Sequence, residues 1–439
     1  MRRAIVPWNP TLRQPHRVAL LAVCLFAAAC GGDATTAPTT PPSIPALIRP
    51  PVVAPNATGR GELVTFTAFP ARITRLEATI ALTASGAIPT FTPRFDVQGY
   101  AVSYRTPGLD GQLTTATGAV YVPLGAPTAL PVVAYMHGTV TNRLSVPSNP
   151  LVQEGQLFGT AFGSDGAVVV MPDYLGLGGN PGPQLYLHQQ THASTAIDLL
   201  RAARTLTERL GVATQRNNLF VTGYSQGGGV AMGLLRELER NHATEFPVLG
   251  AAPMSGPYDL SGTVRTALLL NPPYPPAVGY ATLISGTMAT VYNLGPLGNF
   301  LVAGAVPTAT AMLSGTVTDV QLATLPRTPR DLLVPSFLGK ISLDTNDLFW
   351  QALKDNDTYD WVPKVPVRLY YGGADIDVPP QNALTAQGIM RARGAASVTA
   401  VNVGATLTHG SAVLPATIAA KRFLDSLRVR PAAMADVVR

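Results

Sequence analysis

One stretch restricts the possible folds more than any other: Asn218–Gly229, NLFVTGYSQGGG, where an apolar run ends in Gly223-Tyr224-Ser225-Gln226-Gly227. Asn218 to Thr222 reads as a short buried strand. Val230 to Arg240 carries apolar residues at Val230, Leu234, Leu235 and Leu238, a helical spacing. A strand that must become a helix within one residue forces Ser225 into a strained, exposed conformation with its hydroxyl pointing outward. Gly223 and Gly227 are expected because a Cβ at either position would strike the neighbouring strand or helix, and Gly228 and Gly229 relax the packing further. A serine hydroxyl is a poor nucleophile by itself, so this reading demands a base, a group to orient the base, and donors for an oxyanion.

The flanking pattern supplies a scaffold. Val97 to Arg105 and Gln112 to Val122 alternate like the strands of a hairpin around Pro107-Gly108-Leu109-Asp110-Gly111. Pro131–Met136 and Ala167–Met171 are continuous apolar runs, as in strands buried on both faces. Helices are expected over 151–162 and, more strongly, over 191–210 with Gly211 as its stop. Gly61 to Phe69 and Ile73 to Leu82 are apolar enough to be ordered, with a helix over Leu76–Leu82 as one option. After the elbow, strands are expected at 248–253, 365–371 and 397–403, and helices at 380–393 and 418–427. This rhythm implies an α/β fold with a mostly parallel sheet covered on both faces. The exception is 260–359, read as an inserted helical cap. From Thr266 to Thr318 it contains no Asp, Glu, Lys or Arg, and its prolines and glycines interrupt any membrane-spanning run.

Composition narrows the function classes. The chain has 439 residues, 46% of them hydrophobic and 13% charged, which argues for a large core and against disorder. The net charge of +6 comes from scattered arginines without an aromatic ladder, so nucleic-acid binding is not indicated. Residues 1–29 read as a signal peptide, with Arg2, Arg3, Arg13 and Arg17 before the apolar stretch Val18–Ala29. Small residues directly precede Cys30, a pattern resembling the bacterial lipobox. Cys30 is therefore the expected lipidation site and would anchor the exported chain to a membrane; ordinary secretion with cleavage near Ala29 is the alternative. Cys24 and Cys30 are the two cysteines, so the mature chain carries no disulfide. Residues 30–55 read as a Pro/Thr-rich tether, 56–259 and 360–430 as the main domain, and the last dozen residues as a frayed tail.

Six histidines leave one good base. His16 falls in the signal, His137 suits the shaping of an oxyanion loop, His188 and His192 suggest solvated or capping roles, and His242 ends the elbow helix. His409 lies between the last strand and last helix, where it reaches the sheet's C-terminal edge. Asp375, just past a strand end, is the expected orienting carboxylate, and Asp377 the expected turn or cap residue before Pro379. The oxyanion donors are expected to be the backbone N–H of Gln226 and that of Thr139, with Gly138 as the fallback. No cofactor or metal site is indicated: Gly176-x-Gly178 lacks the third glycine of a dinucleotide loop, and Asp355, Asp357 and Asp360 read as a solvated acidic turn. Tyr258, Tyr274 and Tyr280 of the cap are either substrate contacts or packing.

PVVAYMHGT, VVVMPDYLGLG, VTGYSQGG, DWVPKVPVRLYYGGADIDVP and THG, in that order, resemble the α/β-hydrolase superfamily and, more narrowly, the secretory lipases. The likeness runs from about Val97 to Leu427. It implies a carboxylic-ester hydrolase with Ser225, Asp375 and His409 as its triad, a small ester or lipid as substrate, and a cap before the penultimate strand. The alternatives left open are a peptidase or acyltransferase using the same triad, and a catalytically silent surface-binding lipoprotein.

Overall fold

The apolar runs become strands of one sheet, and their lateral order decides where chemistry can sit. The computed structural model describes residues 46–270 and 274–428, all within one unit, Pro45–Arg439. The strands among them are β1 (Leu63–Ala68), β2 (Val97–Pro107), β3 (Leu113–Pro123), β4 (Leu130–Met136), β5 (Val168–Pro172), β6 (Thr214–Tyr224), β7 (Val248–Met254), β8 (Val367–Tyr371) and β9 (Val398–Asn402). They lie in the order β1-β2-β3-β5-β4-β6-β7-β8-β9. Pairing is antiparallel from β1 through β5 and parallel from β5 through β9. The order reverses at β4, which is followed in sequence by β5 on one side but pairs with β6 on the other. Such a switch point opens a crevice at the strands' carboxyl ends, and there Met136 pairs with Gly223.

The first helices are α1 (Arg75–Ala84), α2 (Gln153–Ser164), α3 (Gln189–Arg209) and α4 (Gln226–Asn241). Between β7 and β8 the chain is helical: a π-turn over 260–264, then α5 (Arg265–Leu270), α6 (Pro275–Val291), α7 (Val306–Leu313), α8 (Asp319–Leu322), α9 (Pro329–Leu332), α10 (Pro335–Leu343) and α11 (Leu348–Asp355). The fold closes with α12 (Gln381–Ala392) and α13 (Val413–Leu427). Strand side chains alternate between two cores, as a period of two requires. Ala134, Met136, Val168 and Val170 pack with Leu199 of α3 and Leu234 of α4. Val133, Tyr135, Val169 and Met171 pack on the opposite face with Phe158 of α2 and Phe423 of α13. α6 is buried nearly all round, from Ala277 to Val291, which is why it tolerates no charge.

Three expectations change. Gly61–Phe69, left unassigned, supplies the edge strand β1, and the following helix begins at Arg75 because Thr74 and Glu77 form a capping box. The tether is ordered at its C-terminal end: Leu47 is buried, Arg49 pairs with Asp355 at 2.8 Å, and Gln190 Nε2 donates to the Pro51 carbonyl at 3.0 Å. Proline-rich backbone has free carbonyls, and these serve as acceptors for the body's polar side chains. The signal peptide, Cys30 and the tail from 429 lie outside the described residues. His188 does stand at the N-cap of α3, but it and His192 are buried rather than solvated: the His188 ring lies edge-on to Tyr292 of the insertion at 6.0 Å, and His192 packs against Tyr174 at 4.4 Å, beside Gln226. Among the described residues no helix is long and apolar enough to cross a membrane.

Burial pushes His188 down from 6.5 to about 4. The unfolded chain therefore binds a proton below pH 6.5 that the folded chain refuses until about pH 4, so His188 withdraws stability as pH falls through that window, on the order of 3 kcal/mol in full. Asp173 and Asp357, pushed up by burial, act in the opposite sense. His188→Gln should accordingly lose less stability than the wild type between pH 6.5 and 4 in urea denaturation; parallel curves would contradict this account.

Candidate active site

β6 ends at Tyr224 and α4 begins at Gln226, leaving Ser225 to make the whole turn. It adopts φ 59°, ψ −125°, a conformation that side chains rarely occupy. Its N–H donates to the Met254 carbonyl at 3.0 Å, locking the turn to the end of β7. The glycines are there for close approach. A Cβ on Gly223 would lie 2.6 Å from the Met136 carbonyl oxygen, one on Gly227 1.9 Å from that same atom, and one on Gly228 2.4 Å from the Met254 carbonyl oxygen.

Ser225 Oγ lies 2.8 Å from His409 Nε2, and His409 Nδ1 lies 2.7 Å from Asp375 Oδ2. Three side chains remote in sequence thus meet in one line. The imidazole is 15% exposed while the Asp375 carboxylate is fully enclosed. Its other oxygen accepts the N–H groups of Asp377 at 3.0 Å and Val378 at 2.9 Å. A carboxylate so held favours the tautomer with the proton on Nδ1, which leaves the Nε2 lone pair facing the serine hydroxyl. Asp377, expected only as a turn or cap residue, instead accepts the hydroxyls of Tyr274 at 2.8 Å and Tyr280 at 2.9 Å, joining the insertion to the loop after β8. Burial and the carboxylate push Tyr274 up to about 12 and Tyr280 still higher, so both remain neutral donors.

The loop after β4 is clamped along its length. His137 stacks on Tyr174 at 4.1 Å, and the Tyr174 hydroxyl donates to the His137 carbonyl at 3.0 Å. Gly138 N–H donates to Glu154 Oε1 at 3.0 Å, an oxygen that also accepts the Tyr135 hydroxyl. Gly138 is therefore committed and cannot act as the fallback oxyanion donor. Thr139 follows it, with its hydroxyl 2.9 Å from that of Tyr186. Gln226 opens α4, where first-turn N–H groups have no partner within the helix; its buried side chain turns away toward His192, Nε2 to Nε2 at 3.5 Å.

Other candidates come apart. Asp355 bonds Arg49 and the Tyr292 hydroxyl, Asp360 pairs with Arg393, and Asp357 is buried, accepting the N–H and hydroxyl of Ser261. The expected solvated acidic turn is thus three separately engaged carboxylates, and the described residues contain no cluster suited to a metal ion. The loop of Gly176 and Gly178 wraps buried Asp173: a Cβ on Gly178 would lie 2.4 Å from Asp173 Oδ2. Tyr258 is fully buried packing.

A narrow pocket of about 30 Å³ opens on Ser225 and Gln226. Tyr186, Tyr280 and Asp377 form its polar side and Leu187, Val264, Leu268 and Ile284 an apolar one.

The family model for secretory lipases matches residues 148–268. A crystal structure from Legionella pneumophila is similar, with 29% identity, a TM-score of 0.78, and coverage of 84% of this chain and 99% of that one. The rice cell wall degrading esterase LipA from Xanthomonas oryzae has 26% identity and a TM-score of 0.73 over 84% of this chain and 97% of its own. The chain is an α/β-hydrolase of the lipase and esterase type. Candida antarctica lipase A in its closed state shares the fold, at 16% identity and a TM-score of 0.59 over 85% of this chain and 84% of that one. No curated protein matches significantly.

Two residues of this carboxylic ester hydrolase escaped the sequence reading. Tyr224, next to Ser225, donates its hydroxyl to the His409 carbonyl at 2.5 Å, and Glu154 holds the loop after β4 from α2. The position of Tyr224 inside the elbow was the available signal; nothing local marks Glu154. Gly227→Ala should cost about 3 kcal/mol or more, because the atom it would strike is backbone. The measurement is the chemical denaturation midpoint, or failure to accumulate folded protein; a wild-type midpoint would contradict the close approach.

Proposed function

We propose that Ser225 is the nucleophile, His409 the general base and Asp375 its orienting partner, in an exported esterase that works through an acyl-enzyme. The observation that carries this reading is the line from Ser225 Oγ through His409 to Asp375, at 2.8 and 2.7 Å. His409 Nε2 takes the serine proton as Oγ attacks the ester carbonyl, and Asp375 stabilises the imidazolium that results. The N–H groups of Gln226 and Thr139 receive the oxyanion, and each contributes on the order of 10²- to 10³-fold. His409 then returns the proton to the leaving alcohol and deprotonates the water that releases the acid. Leu187, Leu268 and Ile284 along the Ser225 pocket favour an apolar acyl group.

In this reading 260–359 is a cap over the site, tied to it by Tyr274 and Tyr280 through Asp377. The basic n-region and apolar stretch of 1–29 support export, and the small residues before Cys30 support a lipid anchor on that cysteine.

Ser225→Ala should lower turnover of p-nitrophenyl butyrate by about 10⁴-fold or more with an unchanged circular dichroism spectrum, and abolish labelling by a fluorophosphonate. Undiminished turnover would refute the assignment. Asp375→Asn should reduce kcat by roughly 10⁴-fold through the wrong imidazole tautomer, with little change in KM; a kcat within tenfold of wild type would remove Asp375 from this role.

A further inference from the structure

A second cavity shares part of its lining with the pocket at Ser225. It too holds about 30 Å³, the room of roughly two water molecules. Phe337, Phe349 and Leu353 line it on the α10 and α11 side, the two rings meeting edge to face at 4.7 Å. Val264, Leu268 and Ile284 line both cavities. Val264 ends the π-turn over 260–264 and Leu268 follows four residues later in α5, so the two come from consecutive turns of one helical run. Ile284 belongs to α6, where Ala277 and Tyr280 line only the first cavity and Ala281 and Ser285 only the second.

Protein interiors are close-packed, and an apolar void weakens the structure in proportion to its volume. Here the second cavity shares three aliphatic side chains, Val264, Leu268 and Ile284, with the pocket at the proposed nucleophile. An acyl chain bound to Ser225 and running along Leu187 and Ile284 would meet those three side chains before reaching the void.

We propose that Val264, Leu268 and Ile284 form a septum that sets the acyl length the enzyme accepts. The intact septum confines it to esters of short-chain acids, and the cavity beyond continues the acyl path once the septum is cut back. This rests on Ser225 being the residue that is acylated. The recognised group is an apolar alkyl chain, since the septum, Phe337, Phe349 and Leu353 present carbon surface to it.

The test is the ratio of kcat/KM for p-nitrophenyl octanoate to that for the butyrate, an internal comparison from which any general loss of activity cancels. The wild type should favour the butyrate. Ile284→Ala should raise the octanoate-to-butyrate ratio about tenfold or more, each newly buried methylene contributing a few-fold. Adding Ala281→Leu, which refills only the second cavity, should return the ratio to the wild-type value. Leu268→Ala opens the same wall from α5 and serves should Ile284→Ala fail to fold. An unchanged ratio in a folded septum variant, or a wild type that already favours the octanoate, would overturn the proposal. A wild type that hydrolyses neither ester and takes no fluorophosphonate label would instead bring down the assignment of Ser225 and the septum with it.

Discussion

Everything at the site depends on how closely the start of α4 approaches the end of β4. The Met136 carbonyl oxygen lies where side chains on Gly223 and Gly227 would stand. Only with hydrogen at both positions can β6 end beside β4 and turn into α4 through a single residue. The strain concentrated in Ser225 is balanced by the surrounding sheet, which ties its N–H to Met254. The reversal of strand order at β4 then puts two things side by side at the crevice: the proposed nucleophile, and the loop proposed to supply an oxyanion donor.

Around this turn, three carboxylates each take several hydrogen bonds. Asp375 takes two backbone N–H groups as well as the imidazole. Glu154 takes one N–H and a tyrosine hydroxyl. Asp173 accepts from Thr117 and Ser148 below the loop of Gly178. Each carboxylate thereby holds a stretch of backbone in place as well as its own charge, which suits a site whose donors must be aimed before the reaction begins. The insertion contributes differently. Its uncharged helix α6 is buried nearly all round, and its connection to the site runs partly through two tyrosine hydroxyls on Asp377.

Much of this was legible in the residue order. The hairpin of β2 and β3, the apolar runs of β4 and β5, and the strand, elbow and helix around Ser225 all showed in local periodicity. His409 emerged by elimination among six histidines, and Asp375 from its place after a strand. β1 did not show, since an edge strand needs only one partner and its short run has no second buried face to mark it. Asp377 was misjudged because its hydroxyl partners come from residues about a hundred positions earlier. The burial of His188 depended on Tyr292 of the insertion, and that of His192 on Tyr174 and Gln226, and no local pattern encodes either.

The chain's own letters therefore determined the elements and the residue types able to do this chemistry, because helix and strand periods, glycine at close approaches and the Ser, Asp, His order are properties of neighbouring residues. Tertiary structure alone decided which groups touch: that Gly138 is spent on Glu154, that Tyr224 braces the His409 loop, and that Ile284 lines two cavities. Contacts of this kind join residues tens to hundreds of positions apart. They exist only once the sheet has set the distances between its strand ends.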